Sequence, residues 1–472
     1  MKKYSSLEEI QTLLSQKQLT VPDLLAYYLK QIEDHKHLNA FNEVFFLSAA
    51  VQAKSVQQKI ENGTAGKLAG MVIGIKDNIC YQDHVVTASS KMLEGFVSPY
   101  SSTVVKRLLQ EDAVIIGRLN CDEFAMGGSN ETSYFGPVKN AANPELVPGG
   151  SSGGSAVAVQ ADMCLSALGT DTGGSVRQPA AFCGQIGLKP TYGRISRYGV
   201  IAYASSFDQV GPITSSVEDA ALLLSVLAGA DDNDSTVSTL DVPDYLSKLQ
   251  ELKPLKIAVL KETIENEALD REVKEAILLA IENLRAAGHT IEYVSFDLLD
   301  YLVPAYYILT TAEASSNLSR YDGVHYGHRN EDAKSLNELY KLSRAEGFGE
   351  EVKRRILLGT FVLSAGYYDA YYQKAQQVRR LIREKMDEML QDFDLLLSPV
   401  APTPAFKIGD NVQDPLVMYM ADIFTVLPSL SGHPAIALPL GNNAAGLPLS
   451  IQFTAKHFEE DKLLAFSQAF LK

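Results

Sequence analysis

Pro148-Gly149-Gly150-Ser151-Ser152-Gly153-Gly154-Ser155 is followed closely by Thr170-Asp171-Thr172-Gly173-Gly174-Ser175. Glycine lacks a Cβ, so the backbone of each stretch can turn sharply and present its N–H groups to a ligand. A serine on such a turn has an accessible hydroxyl beside a potential oxyanion hole. Upstream, the apolar run Met71-Val72-Ile73-Gly74-Ile75 ends on Lys76. Two serine-bearing turns and a strand-end lysine point to acyl transfer with no histidine in it. Gly149 and Gly154 have the separation of a phosphate-binding loop, but Ser155-Ala156 stands where Lys-Ser or Lys-Thr is required, which argues against nucleotide binding.

Around these turns the pattern alternates between strand and helix. Strands are predicted at Met71–Lys76, Ala113–Gly117, Lys256–Leu260, Thr290–Val294, Asp394–Leu397, Ala435–Leu438 and Leu449–Phe453. Helices are predicted at Ser6–Leu14, from Thr20 through Ile32, roughly over Glu43–Glu61, and over Ser101–Glu111, Ser155–Gln160 and Glu272–Ala287, with another opening at Ser216. Residues 300 to 390 read as mostly helical and tyrosine-rich, and Ala230–Ser238 as one polar surface loop. The alternation argues for an α/β fold with a largely parallel sheet.

The chain has 472 residues, 46% hydrophobic and 21% charged, enough for a large core. Its formal net charge of -15 speaks against extensive direct contact with nucleic acid. The start lacks the apolar stretch of a signal peptide, and no apolar run approaches the roughly 20 residues of a membrane span. A cytoplasmic protein is expected. The four cysteines, Cys80, Cys121, Cys164 and Cys183, then read as reduced and mostly buried. Cys183 is a candidate nucleophile only if the fold brings a histidine to it.

A serine nucleophile needs a base. None of the eight histidines adjoins either turn, and His325 with His328 lacks the further ligands of a metal site. Lys76 is the better base: a lysine is ordinarily protonated at neutral pH, but burial favours its neutral form. The alternative for Lys76 is an ion pair with Asp77.

These residues resemble the amidase signature family. The match runs through Lys76-Asp77-Asn78, the first glycine turn, and Asp171 through Ala180. It extends to Asp122–Gly127, Gly187–Arg194, Ser196–Gly199, Ser205–Pro212, Glu313–Arg320 and Arg354–Thr360, which are similar to the branch formed by the A subunits of tRNA-dependent amidotransferases. The resemblance implies one amidase domain over residues 1–472, with N-terminal helices to about 65 and the amidase core beyond, and a mixed central β-sheet covered by helices on both faces. It implies a Ser–cisSer–Lys triad: Ser175 the nucleophile, Ser151 the bridge through a cis peptide to Ser152, and Lys76 the base. Ser152 and Ser155 are rivals for the bridge. Thr172, Gly173 and Gly174 would form the oxyanion hole. For glutamine as substrate, Arg355 would hold the α-carboxylate, Asp422 the amine, and Tyr306 would line the pocket, with Arg354 the alternative to Arg355. The segment Thr425–His433 departs in detail from the family pattern.

The function implied is hydrolysis of L-glutamine to glutamate and ammonia, the ammonia serving conversion of Glu-tRNA(Gln) to Gln-tRNA(Gln). No metal or cofactor is expected in this chain. ATP and Mg are expected at a partner B subunit that also carries most of the tRNA contact, and a small C subunit would complete a heterotrimer. The alternatives are a stand-alone amidase acting on small carboxylic amides and a non-catalytic scaffold on the same fold.

Overall fold

Val72-Ile73-Gly74-Ile75-Lys76 is buried along its whole length, as a strand flanked on both sides and covered on both faces must be. It is β2 of an eleven-stranded sheet in the computed structural model, which describes residues 3–250, 253–410 and 419–472. The remaining strands are β1 (Phe41–Val44), β3 (Val114–Leu119), β4 (Ser166–Asp171), β5 (Ile186–Lys189), β6 (Gln209–Thr214), β7 (Lys256–Leu260), β8 (Thr290–Val294), β9 (Leu395–Pro399), β10 (Ala435–Asn442) and β11 (Pro448–Ala455). Their spatial order is β1-β3-β2-β4-β6-β5-β10-β11-β9-β7-β8.

The sheet is mixed, as the family resemblance implies, rather than largely parallel, as the strand-helix alternation suggests. β3, β2 and β4 run parallel, as do β9, β7 and β8. Between them β4, β6, β5, β10, β11 and β9 are joined by antiparallel pairings. The strand-helix alternation marked the two flanks. The centre is built partly from β4, β5 and β6, whose glycines, prolines and polar residues hide their strand character from a propensity reading.

Alternation along the strands divides the core between two faces. Ile257, Val259, Leu395 and Leu397 join the cluster that holds Val273, Ile277 and Ile281 of the helix Arg271–Ala286. Ala258, Leu260 and Leu396 join another with Leu302, Tyr306 and Leu309 of the helix Leu302–Asn317, and Ile382, Met386 and Leu390 of the helix Lys374–Asp392. Helices therefore cover both faces, as expected.

Local chemistry sets most of the helix starts. Ser6, Thr20, Ser216 and Asp270 cap helices at Leu7–Ser15, Val21–Asp34, Val217–Leu227 and Arg271–Ala286 by accepting from backbone N–H groups one turn in. The helix expected from Glu43 begins instead at Phe46. Residues 41 to 44 pair antiparallel with β3, and that tertiary pairing overrides the local preference of Glu43. Within residues 300 to 390, the helices Leu302–Asn317, Leu336–Gly347, Glu350–Leu363 and Lys374–Asp392 agree with expectation. The loop around Asp231 and Asp234 is less solvated than its composition suggests. Asp231 accepts from Ser196 Oγ and Thr103 Oγ1, both at 2.5 Å, and buried Asp234 accepts from the Arg197 amide at 2.9 Å.

The helix Gly153–Gln160 runs from the first glycine turn into the core and is packed tightly against neighbouring backbone. A Cβ on Gly154 would lie 2.4 Å from the Asn120 carbonyl oxygen and 2.6 Å from that of Ala40. Backbone cannot swing aside as a side chain can. Gly154→Ala is therefore expected to destabilise the fold by about 1–3 kcal/mol, read as a lower urea midpoint at unchanged slope. An unshifted midpoint would show that this close approach carries no stability.

Candidate active site

Lys76 and Asp171 end two adjacent parallel strands, β2 and β4, so both reach the same edge of the sheet. Open α/β sheets bind ligands at the carboxyl ends of their strands. The two glycine turns close over that edge. Lys76 is fully buried, and its Nζ lies 2.7 Å from Ser151 Oγ, 3.0 Å from Ser152 Oγ and 3.5 Å from the Thr170 carbonyl oxygen. All three partners are uncharged. Burial pushes the Lys76 ammonium below a lysine's ordinary value, against the pull of Cys121, Asp122, Asp208 and Asp171. Asp77 is not its ion-pair partner; that carboxylate accepts from Arg118 at 2.8 Å and from the Thr87 amide at 2.9 Å.

Hydroxyl bookkeeping separates the three serines of the first turn, because each hydroxyl has one proton to donate. Ser152 Oγ donates to the Thr170 carbonyl at 3.2 Å, and Ser155 Oγ to that of Leu168 at 3.1 Å. Ser151 Oγ is bound only to Lys76 among the described residues, so its proton alone is free to move. The cis peptide lies one bond earlier than expected, between Gly150 and Ser151 rather than Ser151 and Ser152. The glycine on that bond occupies a site closed to larger residues: a Cβ on Gly150 would lie 2.1 Å from Asp122 Oδ2. Gln178 Oε1 accepts from the Gly150 amide at 2.9 Å, and Asn130 Oδ1 from the Gly154 amide at 3.1 Å, which hold the turn in place.

Ser175 joins the site through its backbone, its carbonyl accepting from the Ser152 amide at 3.1 Å. At 8% exposure it is the most open of Lys76, Ser151 and Ser175. A hydrogen bond between the Ser151 and Ser175 hydroxyls is not among those of the described residues. The turn bearing Ser175 is shaped by Asp171, which accepts from the Gly174 amide at 2.9 Å and the Val176 amide at 3.2 Å. Arg177 binds the same carboxylate at 3.0 and 2.9 Å and continues to the Thr425 carbonyl, Ser429 Oγ and Gln452 Oε1. Burial alone would raise the Asp171 pKa; Arg177 more than reverses this and holds it below the usual carboxylate range. Of the three amides expected to face an oxyanion, that of Gly174 is thus engaged by Asp171. Thr172 is held by its side chain, which donates to Asp208 Oδ1 at 2.6 Å.

The residues expected at the far end of the substrate also converge. Tyr306 lies over the second turn, where a Cβ on Gly173 would fall 2.4 Å from its hydroxyl oxygen. Its neighbour Tyr307 donates to Asp422 Oδ2 at 2.7 Å and stacks on Tyr419, with ring centroids 4.0 Å apart. The Arg355 guanidinium sits over the rings of Tyr203, Tyr307 and Tyr419 at 5.4–5.6 Å. Its Nε donates to Glu351 at 2.8 Å and its Nη1 to the Tyr203 hydroxyl at 2.9 Å. Arg354 turns outward and pairs with Glu351, its side chain 44% exposed. Burial raises the Asp422 carboxyl to about 6, although Tyr307 and Arg355 both favour its charged form. A cavity bordered by Ser129, Thr132, Tyr307, Arg355 and Tyr419 opens beside this group.

Tyr203, Tyr307, Glu351 and Tyr419 were not legible as site residues. The spacing of Glu351 and Arg355, one helical turn apart, was the available signal. The cysteines are all free and buried, and burial raises the Cys183 thiol well above its ordinary value, so no thiolate nucleophile arises there. His325 and His328 pair with Asp322 and Glu346 on the surface. No described helix is long and apolar enough to cross a membrane.

A family model described as Amidase matches residues 23–464. The chain is 49% identical over 469 residues to the A subunit of glutamyl-tRNA(Gln) amidotransferase from Prosthecochloris aestuarii, covering 99% of this chain and 98% of that one. It is 50% identical over 467 residues to its counterpart in Bacillus licheniformis, covering 98% and 96%. Among solved structures it is similar to the A subunit of the Thermotoga maritima glutamyl-tRNA(Gln) amidotransferase, with a TM-score of 0.78 and 39% identity over 95% of this chain and 93% of that one. With both glycine turns, the buried lysine and near full-length likeness in agreement, this chain belongs to the amidase family.

Proposed function

We propose that this chain is the glutaminase subunit of a tRNA-dependent amidotransferase, releasing ammonia from L-glutamine for conversion of Glu-tRNA(Gln) to Gln-tRNA(Gln). The observation that carries this reading is a fixed cation, Arg355, and a carboxylate, Asp422, joined through Tyr307 beside Tyr306 and the Ser175 turn. An amino acid carries one charge of each sign at its α-carbon, and these two groups match them. A simple amide has nothing for them to bind. Likeness to A subunits over nearly the whole chain supports the same reading.

In this mechanism Lys76 is neutral, and its lone pair faces Ser151 Oγ across 2.7 Å. Ser175 Oγ attacks the side-chain amide carbon of glutamine as its proton passes to Ser151 and the Ser151 proton to Lys76. The amides of Thr172 and Gly173 face the oxyanion, while Gly174 shapes the turn through Asp171. Collapse breaks the C–N bond, and the Lys76 proton returns through Ser151 to the departing nitrogen, releasing ammonia. Water then attacks the acyl-enzyme, with its proton taken along the same relay, and glutamate leaves. ATP and Mg would act at a B subunit that binds most of the tRNA, and a C subunit would complete the heterotrimer.

The test is ammonia release by the chain in complex with its partner subunits, from glutamine and from a panel of simple amides, with and without ATP and misacylated tRNA. Glutamine-selective release stimulated by tRNA and ATP is expected. Partner-independent hydrolysis of simple amides with glutamine as a poor substrate would overturn the assignment in favour of a stand-alone amidase. Ser175→Ala is expected to lower turnover by at least about 10³-fold with assembly intact. Full assembly with unchanged turnover would remove Ser175 from the mechanism.

Arg355→Gln or Asp422→Asn removes one charged contact to glutamine and is expected to lower kcat/KM by about tenfold to a hundredfold, mainly through KM. Hydrolysis of a simple amide should change little. Equal loss on both substrates would mean that these residues hold the fold rather than the substrate. Asp422 also sets a pH limb. Its carboxyl, raised to about 6, must be ionised to receive the substrate ammonium. The kcat/KM for glutamine should therefore fall as pH drops through about 6, and Asp422→Asn should flatten that limb.

A further inference from the structure

On the helix Lys374–Asp392, Asp387 faces two histidines that lie 46 and 70 residues further along the chain. His433 follows the helix Val426–Ser431, and His457 lies just beyond β11. Their imidazole centroids are 3.9 Å apart. His433 Nε2 is 3.2 Å and His457 Nε2 is 3.5 Å from the same oxygen, Asp387 Oδ1. Among the described residues, this is the group of three whose ligand atoms all lie within 4.8 Å of one another. None of the three takes part in the chemistry above.

The hydrogen bonds around His433 favour one tautomer. Ser431 Oγ donates its single proton to the Leu427 carbonyl at 2.9 Å. It can therefore only accept from His433, whose Nδ1 lies 3.0 Å away. A neutral imidazole has one N–H, so His433 Nε2 presents a lone pair to a carboxylate oxygen 3.2 Å distant. His433 is 1% exposed. His457 Nε2 is buried beside it without a hydrogen-bond partner. Three potential ligand atoms thus lie within 4.8 Å of one another, an arrangement that a cation between them satisfies.

We propose that Asp387 Oδ1, His433 Nε2 and His457 Nε2 bind a zinc ion, with water as the fourth ligand from the side where Asp387 is exposed. Tetrahedral zinc with bonds of about 2.0–2.1 Å spaces its ligand atoms about 3.3 Å apart, close to the two separations seen. Two imidazoles and one carboxylate suit zinc better than calcium or magnesium, which favour all-oxygen sites. Ser431 orients His433 from behind, as outer partners of metal-bound histidines do. The cations facing the group leave the site open. Arg383 Nε approaches the other oxygen of Asp387, Oδ2, at 3.7 Å, and Lys189 Nζ donates to the Pro190 carbonyl at 2.9 Å. The ion would clamp the helix Lys374–Asp392 to the segments entering β10 and leaving β11.

The experiment uses the untagged full chain, stripped with a chelator, dialysed, and titrated with ZnCl2 and separately with CoCl2. One equivalent of zinc and the intense visible bands of tetrahedral cobalt are expected. His457→Ala and Asp387→Asn, both at positions open enough to tolerate change, should each weaken zinc binding at least about tenfold and leave glutamine hydrolysis unchanged. Absence of stoichiometric zinc from the unsubstituted chain would overturn the proposal, as would binding that both substitutions leave intact. A His433 ring found doubly protonated at neutral pH by NMR, in zinc-free and zinc-treated protein alike, would also overturn it by putting a proton where the ion is placed.

Discussion

The site depends on taking one amine out of water. An exposed lysine is protonated at neutral pH and cannot accept a proton. Lys76 sits at the end of a strand buried along its length, beneath two loops, and the surroundings respect what burial requires. Its contacts are two hydroxyls and a carbonyl. The nearby acids are tied to other groups: Asp77 to Arg118, Asp122 to the amides of Asn130 and Thr132, and Asp171 to Arg177. A carboxylate brought against the amine would hold it charged and defeat the purpose of burial.

The parts of this arrangement differ in how far they could be read from residue order. The glycine turns, the lysine and the capped helices were legible because their physics is local: a missing Cβ, a strand-end cation, a serine one turn ahead of an amide donor. In the antiparallel centre β10 and β11 were legible as strands, but β4, β5 and β6 were not. β4 and β6 pair over six residues each, yet Ser166-Ala-Leu-Gly-Thr-Asp and Gln209-Val-Gly-Pro-Ile-Thr carry weak strand signals. The same holds for β1, which exists through its pairing with β3. The position of the cis bond and the engagement of the Gly174 amide depend on Asp122, Gln178 and Asp171 folding back onto the turns, which no spacing rule encodes.

The far end of the pocket shows the same division. Arg355 and Asp422 were legible only through family resemblance, and what makes Arg355 the inward arginine is tertiary. Three tyrosines from distant parts of the chain surround its guanidinium, while Arg354, one residue earlier, turns toward solvent. An aromatic cage lowers the cost of keeping a cation away from water and fixes the plane of its fork. Tyr307 serves both charges at once, its ring against Arg355 and its hydroxyl on Asp422. Spacing between the guanidinium and the carboxylate is thereby set by one rigid side chain.

The reach of Arg177 has a consequence for synthesis of the protein. Its guanidinium joins the Asp171 turn to Thr425, Ser429 and Gln452, partners 248, 252 and 275 residues further along the chain. While the ribosome is still translating the last fifth of the message, Arg177 has no way to complete its contacts, and the Ser175 turn lacks its final brace. The brace of the Ser175 turn is complete only once β11, which carries Gln452, has been made.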